Sequence, residues 1–389
     1  MNQLIRHRGP DDEGYVFFNS SSATHYGGDD TPESVYQSNY SYSPKRRIES
    51  AQSNGFIALG HRRLSILDLS PAGHQPMCSG NQRYWITYNG EIYNYIELRN
   101  DLKAKGYDFV SQTDTEVILY AYDCWGKDCL NYFNGMFAFV LYDTWEKKLF
   151  MARDRFGIKP LYYWFSPDGV LAIASEIKQF TVLSGWKAQM EGQAVYDFLA
   201  YSISDHRRET FFRGVKELRG GEYIECPFES IHEGIVPKRW YDLDHHPFKG
   251  SFGEAGQRFK ELFTDSVSLR LRADVPVGSC LSGGLDSSSI VCVANQLLKQ
   301  KNANALQKTF SAASKIKKHD ESEFIEEVMG HTGTKGHYVY PSLDDLSRVM
   351  KDIIWTQDQP FGSTSIFAQW HVFRLGAENQ VKVMLDGQG

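Results

Sequence analysis

No stretch of this chain stays apolar for long. The longest run, Met136-Phe-Ala-Phe-Val-Leu-Tyr142, is far shorter than the about 20 residues that a bilayer-spanning helix needs, so a membrane is not an expected partner. Cysteine is sparse: six residues, at 78, 124, 129, 226, 280 and 292. Cys124 and Cys129 have four residues between them and no second pair at metal spacing. That reads as free thiols in a reducing cytoplasm rather than as a disulfide framework or a zinc site. The opening Met1-Asn-Gln-Leu-Ile-Arg-His-Arg8 lacks the apolar core and small-residue cleavage site of a signal peptide, which also points to the cytoplasm. Neither sign of charge dominates. Lys and Arg number 42 against 48 Asp and Glu, a net charge of −6, whereas a general nucleic-acid binder needs a basic surface.

Aromatic residues are plentiful: 24 Phe, 22 Tyr and 8 Trp, which favour sheets and filled cores. With 41% hydrophobic and 23% charged residues the chain has globular composition. At roughly 150 residues per domain, 389 residues make two domains or three. The first part is strand-rich. Tyr84–Tyr88, closed by the turn signal Asn89-Gly90, and the runs 137–143, 148–153, 160–165 and 169–174 follow at short spacing and predict an antiparallel meander. Helices are predicted over 94–105 and over 114–125, the latter with Asp114 as N-cap. The Ser- and Tyr-rich stretch 20–54 reads as a surface insertion, partly mobile. From about residue 250, strands at 275–281, 309–313, 335–340 and 381–385 alternate with helices at 252–271, 287–300, 320–331, 343–356 and 363–377. Such alternation means βαβ units and a parallel sheet. The linker falls within 232–250, giving domains 1–245 and 246–389.

Ser282-Gly-Gly-Leu-Asp-Ser-Ser288 follows a predicted strand and opens a helix. Gly283 and Gly284 let the backbone approach an anion, Ser282, Ser287 and Ser288 add hydroxyl donors, and the helix start adds free N–H groups. Asp286 would repel a bare phosphate, which calls for a bridging Mg²⁺. No Gly-Lys-Ser/Thr follows, so this is not a Walker A loop. The segment resembles the pyrophosphate loop of the N-type ATP pyrophosphatases, which split ATP between its α and β phosphates. The resemblance implies that Ser282, Gly283, Gly284, Asp286, Ser287 and Ser288 hold pyrophosphate, and that Leu281 and the backbone near Ala312 hold adenosine.

Arg8-Gly-Pro-Asp-Asp-Glu-Gly14, Gly60-His-Arg-Arg-Leu-Ser-Ile-Leu-Asp68, Gly73-His-Gln-Pro-Met77 and Tyr88-Asn-Gly-Glu-Ile-Tyr-Asn94 precede that loop. So do Thr113-Asp-Thr-Glu-Val-Ile118, Asn134-Gly-Met-Phe-Ala-Phe139, Arg153-Asp-Arg-Phe-Gly-Ile-Lys-Pro160 and Ala174-Ser-Glu-Ile-Lys178. In this order they resemble the glutamine-dependent asparagine synthetase family. The resemblance implies an α+β αββα sandwich of the N-terminal-nucleophile hydrolase type, incomplete here, followed by a Rossmann-like α/β pyrophosphatase domain, also incomplete. It implies ATP and Mg²⁺, glutamine and a carboxylate acceptor such as aspartate as small-molecule partners, and a homodimer. It also implies that ammonia from glutamine would cross between domains to displace AMP from an acyl adenylate. Residue chemistry agrees. Arg63 can grip an α-carboxylate bidentately, Glu91 and Asp114 can take the α-ammonium and the amide, and Asn89 with the Gly90 N–H resembles an oxyanion hole.

The chain departs from that family at both ends. The family nucleophile is an N-terminal Cys whose own amine is the base; here residue 2 is Asn and the first cysteine is Cys78, which has no free amine. Only seven residues precede the Arg8 block, so the first strand and most of the first helix are expected to be missing and glutamine hydrolysis with them. Val381-Lys-Val-Met-Leu-Asp-Gly-Gln-Gly389 resembles the start of a block whose Asp386 and Gly387 contact nucleotide. Its continuation, with a second Mg²⁺ carboxylate and later helices, lies beyond Gly389. Gln388 stands where asparagine synthetases carry a Glu that supports the adenylate. With Gln357-Asp-Gln-Pro-Phe-Gly362 it resembles a branch tied to polysaccharide or secondary-metabolite synthesis, which leaves other carboxylates open as acceptor. An amidotransferase or β-lactam-synthetase-like enzyme adenylating another carboxylate, and a non-catalytic glutamine-binding fragment, are the alternatives.

Overall fold

The computed structural model describes residues 1–20, 22–51, 55–300, 307–313 and 321–387. They divide into two units, Met1–Asp244 and His245–Gly389. Among the described residues no helix is long and apolar enough to cross a membrane.

The first unit begins with β1 (Asp12–Phe18), β2 (Ala23–Gly27), α1 (Glu33–Gln37), β3 (Arg46–Arg47), β4 (Ile57–Arg63), β5 (Met77–Cys78) and β6 (Tyr84–Ile92). Two helices follow, α2 (Tyr95–Ala104) and α3 (Asp114–Trp125), then β7 (Gly135–Asp143), β8 (Lys148–Arg153), β9 (Tyr162–Phe165) and β10 (Leu171–Ala174). The unit closes with α4 (Gly192–Tyr201), β11 (Lys216–Glu217), β12 (Glu222–Pro227) and β13 (Lys238–Arg239). Two sheets dominate it, a six-stranded one in the order β13-β12-β8-β7-β6-β5 and a four-stranded one in the order β3-β2-β1-β4.

Period-two alternation in β6 decides which side chain faces which layer. Trp85 points at the four-stranded sheet, where Phe18 of β1 meets it edge-on at 5.6 Å and Tyr142 of β7 at 5.0 Å. Thr87, on the same face, donates to the carbonyl of Gly60 on β4 at 3.1 Å. Tyr84 points the other way, edge-on to Tyr122 of α3 at 5.5 Å. The layers are therefore helix, sheet, sheet. On the outer side of the four-stranded sheet, Glu13 of β1 and Arg62 of β4 form a fully buried ion pair of 2.7 Å. It is covered by Gln3 of the 3-10 segment Asn2–Arg8 and by Asp30.

Several expectations change here. Residues 20–54 are not a mere surface insertion. They supply β2 and β3 to the sheet and bury Tyr26, Val35 and Tyr42; strands as short as Ala-Thr-His-Tyr-Gly and Arg-Arg leave little hydrophobic periodicity to read. Asn89-Gly90 is not a turn. The strand runs through it to Ile92, with Gly90 opposite Phe137. The meander is split, because β9 and β10 form a separate sheet with β11. Thr113, not Asp114, caps α3, its hydroxyl accepting from the Glu116 N–H.

The second unit runs α5 (Phe252–Arg270), β14 (Val277–Cys280), α6 (Leu285–Gln300), β15 (Lys308–Ala312), α7 (Ser322–Thr332), β16 (Lys335–Val339), α8 (Leu343–Gln357), α9 (Ser365–Glu378) and β17 (Val383–Leu385). Its sheet is parallel in the order β16-β15-β14-β17. The chain first winds from β14 towards β16 and then returns to the other side of β14. The carboxyl end of β14 is thus a topological switch point, where open α/β sheets bind ligands.

Glu176, buried in the first unit, ties the chain's opening segment down. His7 Nε2 and Arg8 Nη1 each lie 2.9 Å from its Oε1, and Lys178 reaches Oε2. Burial alone would raise its pKa, but the hydrogen bonds from His7, Lys178 and Arg8 outweigh it and hold the carboxyl at about 2, against an ordinary 4.5. A depressed carboxylate contributes stability that is fully present above pH 4.5 and is lost as pH falls towards 2. In Glu176→Gln, urea midpoints of this unit should drop at neutral pH and lose part of their fall across that acid window. An unchanged acid limb would show that the carboxylate is not the group responsible.

Candidate active sites

In the first unit, a cavity of about 470 Å³ lies along β4, the edge strand of its sheet, and reaches the facing surface of β6. Arg63, the last residue of β4, enters it from one side. Its Nη1 donates to the Ser70 carbonyl at 3.1 Å, and its Nη2 donates to the Leu67 and Asp68 carbonyls at 3.2 and 2.5 Å. The chain wraps so tightly here that a Cβ on Gly73 would sit 1.7 Å from Nη2. Burial lowers the pKa of the guanidinium, against the pull of Asp12, Asp68 and Asp11. Arg63 makes no ion pair with a carboxylate among the described residues. Three carbonyls use three of its five N–H donors, which leaves donors for an external carboxylate.

Asn89 is on the opposite wall. It shares the inter-sheet face of β6 with Trp85 and Thr87, and its Nδ2 is buried without a hydrogen-bond partner. A buried amide left without an acceptor carries a cost of ~1–3 kcal/mol, which a bound carbonyl or oxyanion would relieve. Gly90 follows it, pressed so closely on β7 that a Cβ would meet the Met136 carbonyl oxygen at 2.3 Å. Glu91 also lines the cavity. Asp114 reaches it from the start of α3, where its Oδ2 accepts from Tyr88 Oη and from the Ile92 N–H, both at 2.8 Å. Burial raises the pKa of Asp114 despite those bonds. The cavity therefore brings together Arg63, Asn89, Gly90, Glu91 and Asp114.

No cysteine lines it. Cys78 sits on β5 with its Sγ 3.2 Å from Ser41 Oγ, and burial pushes its thiol up to about 12. Gly73 and Lys159 are among the cavity residues that the sequence reading did not single out. Both stand inside quoted motif blocks, but their roles depend on approaches that spacing does not encode.

In the second unit, residues 281–284 form the loop at the carboxyl end of β14 and residues 285–288 open α6. The Leu281 N–H donates to the Phe310 carbonyl at 3.0 Å, and Ser311 Oγ donates to the Leu281 carbonyl at 2.6 Å, which locks the loop's root to β15 beside Ala312. Gly283 has φ +86°, a conformation that favours glycine. Ser287 Oγ accepts from the Ser282 N–H at 3.2 Å and lies 3.1 Å from Ser282 Oγ. Ser288 belongs to the first turn of α6, its N–H donating to Gly284. Asp286 is exposed in that same turn. Asp386 follows β17, accepts from Gln369 Nε2 at 3.1 Å, and helps burial push the neighbouring Cys280 thiol up to about 12. Gly387 abuts the start of α6, for a Cβ there would lie 2.8 Å from the Ser287 nitrogen. Gln388 lies outside the described residues. Among the described residues no three His, Cys, Asp or Glu side chains group as a metal site. The donors present suit a Mg²⁺ held by one or two carboxylates and completed by phosphate oxygens.

The first unit thus has the build of a glutamine amidotransferase domain and the second that of an ATP-binding α/β domain. The family described as glutamine amidotransferase domain matches residues 48–241, and the one described as asparagine synthase matches 258–389. The chain is 32% identical to the putative asparagine synthetase [glutamine-hydrolyzing] 2 of Methanocaldococcus jannaschii, over 100% of this chain and 70% of that protein. It is 31% identical to asparagine synthetase [glutamine-hydrolyzing] 1 of Bacillus subtilis, over 100% of this chain and 54% of the relative. A putative asparagine synthetase [glutamine-hydrolyzing] of Mycobacterium tuberculosis shares 33% identity over 87% of this chain and 52% of its own length. The chain spans about half the length of the latter two. It belongs to the glutamine-hydrolysing asparagine synthetase family.

The tight wrap around Arg63 makes a direct prediction. Gly73→Ala should destabilise the first unit by roughly 2 kcal/mol through overpacking, read as a lowered urea midpoint. Gly192→Ala, where a Cβ meets nothing within 4 Å, should leave it nearly unchanged. Equal effects would mean that the Arg63 seat can yield.

Proposed function

We propose that this chain serves a glutamine- and ATP-dependent amidation of a carboxylate, with aspartate as the acceptor. The observation that carries this reading is the pairing, in one cavity, of a buried Arg63 with open donors and a buried Asn89 amide without an acceptor. Glutamine fits that pair. Its α-carboxylate goes to the Arg63 guanidinium, its α-ammonium to Glu91 and Asp114, and its side-chain carbonyl to Asn89 Nδ2 and the Gly90 N–H. Those two donors would favour the negative oxygen of a tetrahedral intermediate over the neutral carbonyl. The thiolate for hydrolysis is not among the cavity residues described, so these residues bind and polarise the amide.

In the second unit, Ser282, Gly283, Gly284, Ser287 and Ser288 surround the pyrophosphate portion of ATP with N–H and hydroxyl donors at a helix start. Leu281 and Ala312 border the adenosine, and Asp386 and Gly387 close the other side of the loop. Asp286 would hold Mg²⁺, which neutralises phosphate charge when bound. The acceptor carboxylate attacks the α-phosphorus and pyrophosphate leaves. Ammonia then displaces AMP from the acyl adenylate and yields the amide.

Calorimetric titration of the 389-residue chain with L-glutamine should show binding, with no glutamate released in a coupled assay. Arg63→Ala should weaken that binding roughly 100-fold, as expected when a buried charged partner is lost. Binding that survives Arg63→Ala would remove glutamine from this cavity. For the second unit, ATP affinity should rise with Mg²⁺ in the wild type, and that dependence should shrink in Asp286→Asn while metal-free ATP binding persists. An undiminished Mg²⁺ dependence in the variant would remove Asp286 as the ligand.

A further inference from the structure

Two motif blocks of the first unit, 8–14 and 73–77, meet at a buried pair that has no task so far. His74 Nδ1 lies 2.7 Å from Asp12 Oδ2, and both side chains are buried. Between a carboxylate and a ring nitrogen, the nitrogen donates. Asp12 Oδ1 is buried without a partner among the described residues, so the bond from His74 is what holds this carboxylate. Asp12 shares a face of β1 with Gly14 and Phe18, and Phe18 meets Trp85, so the pair lies between the two sheets. Gly14 makes room for the imidazole, for a Cβ there would lie 2.6 Å from its Nε2.

Asp12 is the register partner of Arg63 across β1 and β4, and that closes a ring. The chain leaves β4 at Arg63 and offers the carbonyls of Leu67, Asp68 and Ser70 to the guanidinium. It then passes Gly73 and returns, at His74, to the residue opposite Arg63. The entry of this wrap is held by Asp11, whose Oδ2 accepts the Ser65 N–H at 2.8 Å. Its middle is held by Tyr42, whose Oη donates to the Ala72 carbonyl at 2.7 Å. His74 ties its exit to the strand pair that carries Arg63. Neither Asp12 nor His74 is among the residues lining the cavity, so the pair acts on a ligand there through Arg63.

We propose that His74, held by Asp12, is a positioning residue that fixes the wrap around Arg63 and so aims the remaining guanidinium donors into the cavity. The inference rests on the amidotransferase reading, in which those donors take an α-carboxylate. A bidentate grip depends on the plane of the guanidinium. When the wrap loosens, that plane is no longer fixed and the carboxylate is held less well, while contacts to the rest of the ligand stay as they were.

Calorimetric titration of the 389-residue chain at pH 7 with L-glutamine and with its α-amide, which lacks the α-carboxylate, tests this. Wild type should prefer glutamine. His74→Phe keeps a ring over Gly14 but has no donor, and should cut that preference about tenfold with little change in affinity for the α-amide. His74→Asn, whose side-chain N–H can replace that of Nδ1, should keep it. Because His74→Phe leaves a buried carboxylate unpaired, Asp12→Leu combined with His74→Phe, which removes both partners at little cost in stability, serves where the single variant does not fold. A preference that survives in either folded variant overturns the proposal, as does its loss in His74→Asn. An equal loss of affinity for both ligands also overturns it, by marking a general loosening of the unit. Each of these outcomes leaves the amidotransferase reading standing, whereas wild type that binds glutamine no more tightly than the α-amide overturns both.

Discussion

Phe18 meets Trp85 and Tyr142 edge-on at 5.6 and 5.0 Å, and these contacts prop the two main sheets of the first unit apart over an aromatic core. Further along β6 and β7 the inter-sheet face carries smaller side chains, Thr87 and Asn89 beside Val140 and Ala138. β4 carries Gly60 and β6 carries Thr87, Asn89 and Gly90, so sheets held apart by rings enclose a polar space. The cavity is a consequence of where bulky side chains end along two facing strands. Everything that gives it chemical character depends on that spacing. Arg63 comes from one wall, Asn89 from the other, and Asp114 anchors the far end of β6 to α3.

The two units handle charge in opposite ways. In the first, Arg63 and Asp114 in the cavity wall are buried and pre-bonded. Arg63 is seated on three carbonyls, and Asp114 on a phenol and a backbone N–H. Such a site carries its reorganisation cost in folding and presents fixed dipoles to a small ligand. In the second, Asp286 and Asp386 are exposed at the open carboxyl edge of a parallel sheet. That suits a large, highly charged ligand which brings its own counter-ion.

Much of this architecture could be read from residue order. β8 occupies 148–153 and α3 occupies 114–125, as their hydrophobic patterns require, and alternating strands and helices after residue 250 form a parallel sheet. What escaped has physical causes. Asn89-Gly90 has the composition of a hairpin turn, yet Gly90 is needed for a close approach to β7, a requirement that only the paired strand creates. β2 is short and polar, so tertiary pairing with β1 rather than local propensity makes it a strand. Arg63, Asn89, Glu91 and Asp114 stood out because motif order drew attention to them. Lys159 did not, because a lysine in a loop is ordinarily solvated and only the cavity sets it apart. Gln388, on which the acceptor question turns, lies outside the described residues.

The alternation of β6 also limits how this chain can change length. Side chains on a strand trade faces with every residue of slip. Removing one residue between Tyr84 and Tyr88 would turn Asn89 towards the helices and drive Trp85 or its substitute out of the inter-sheet core. No compensating substitution at a single position could restore both. Insertions and deletions are therefore confined to connections such as that between α4 and β11, while β6 must keep its residue count for as long as the cavity keeps its chemistry.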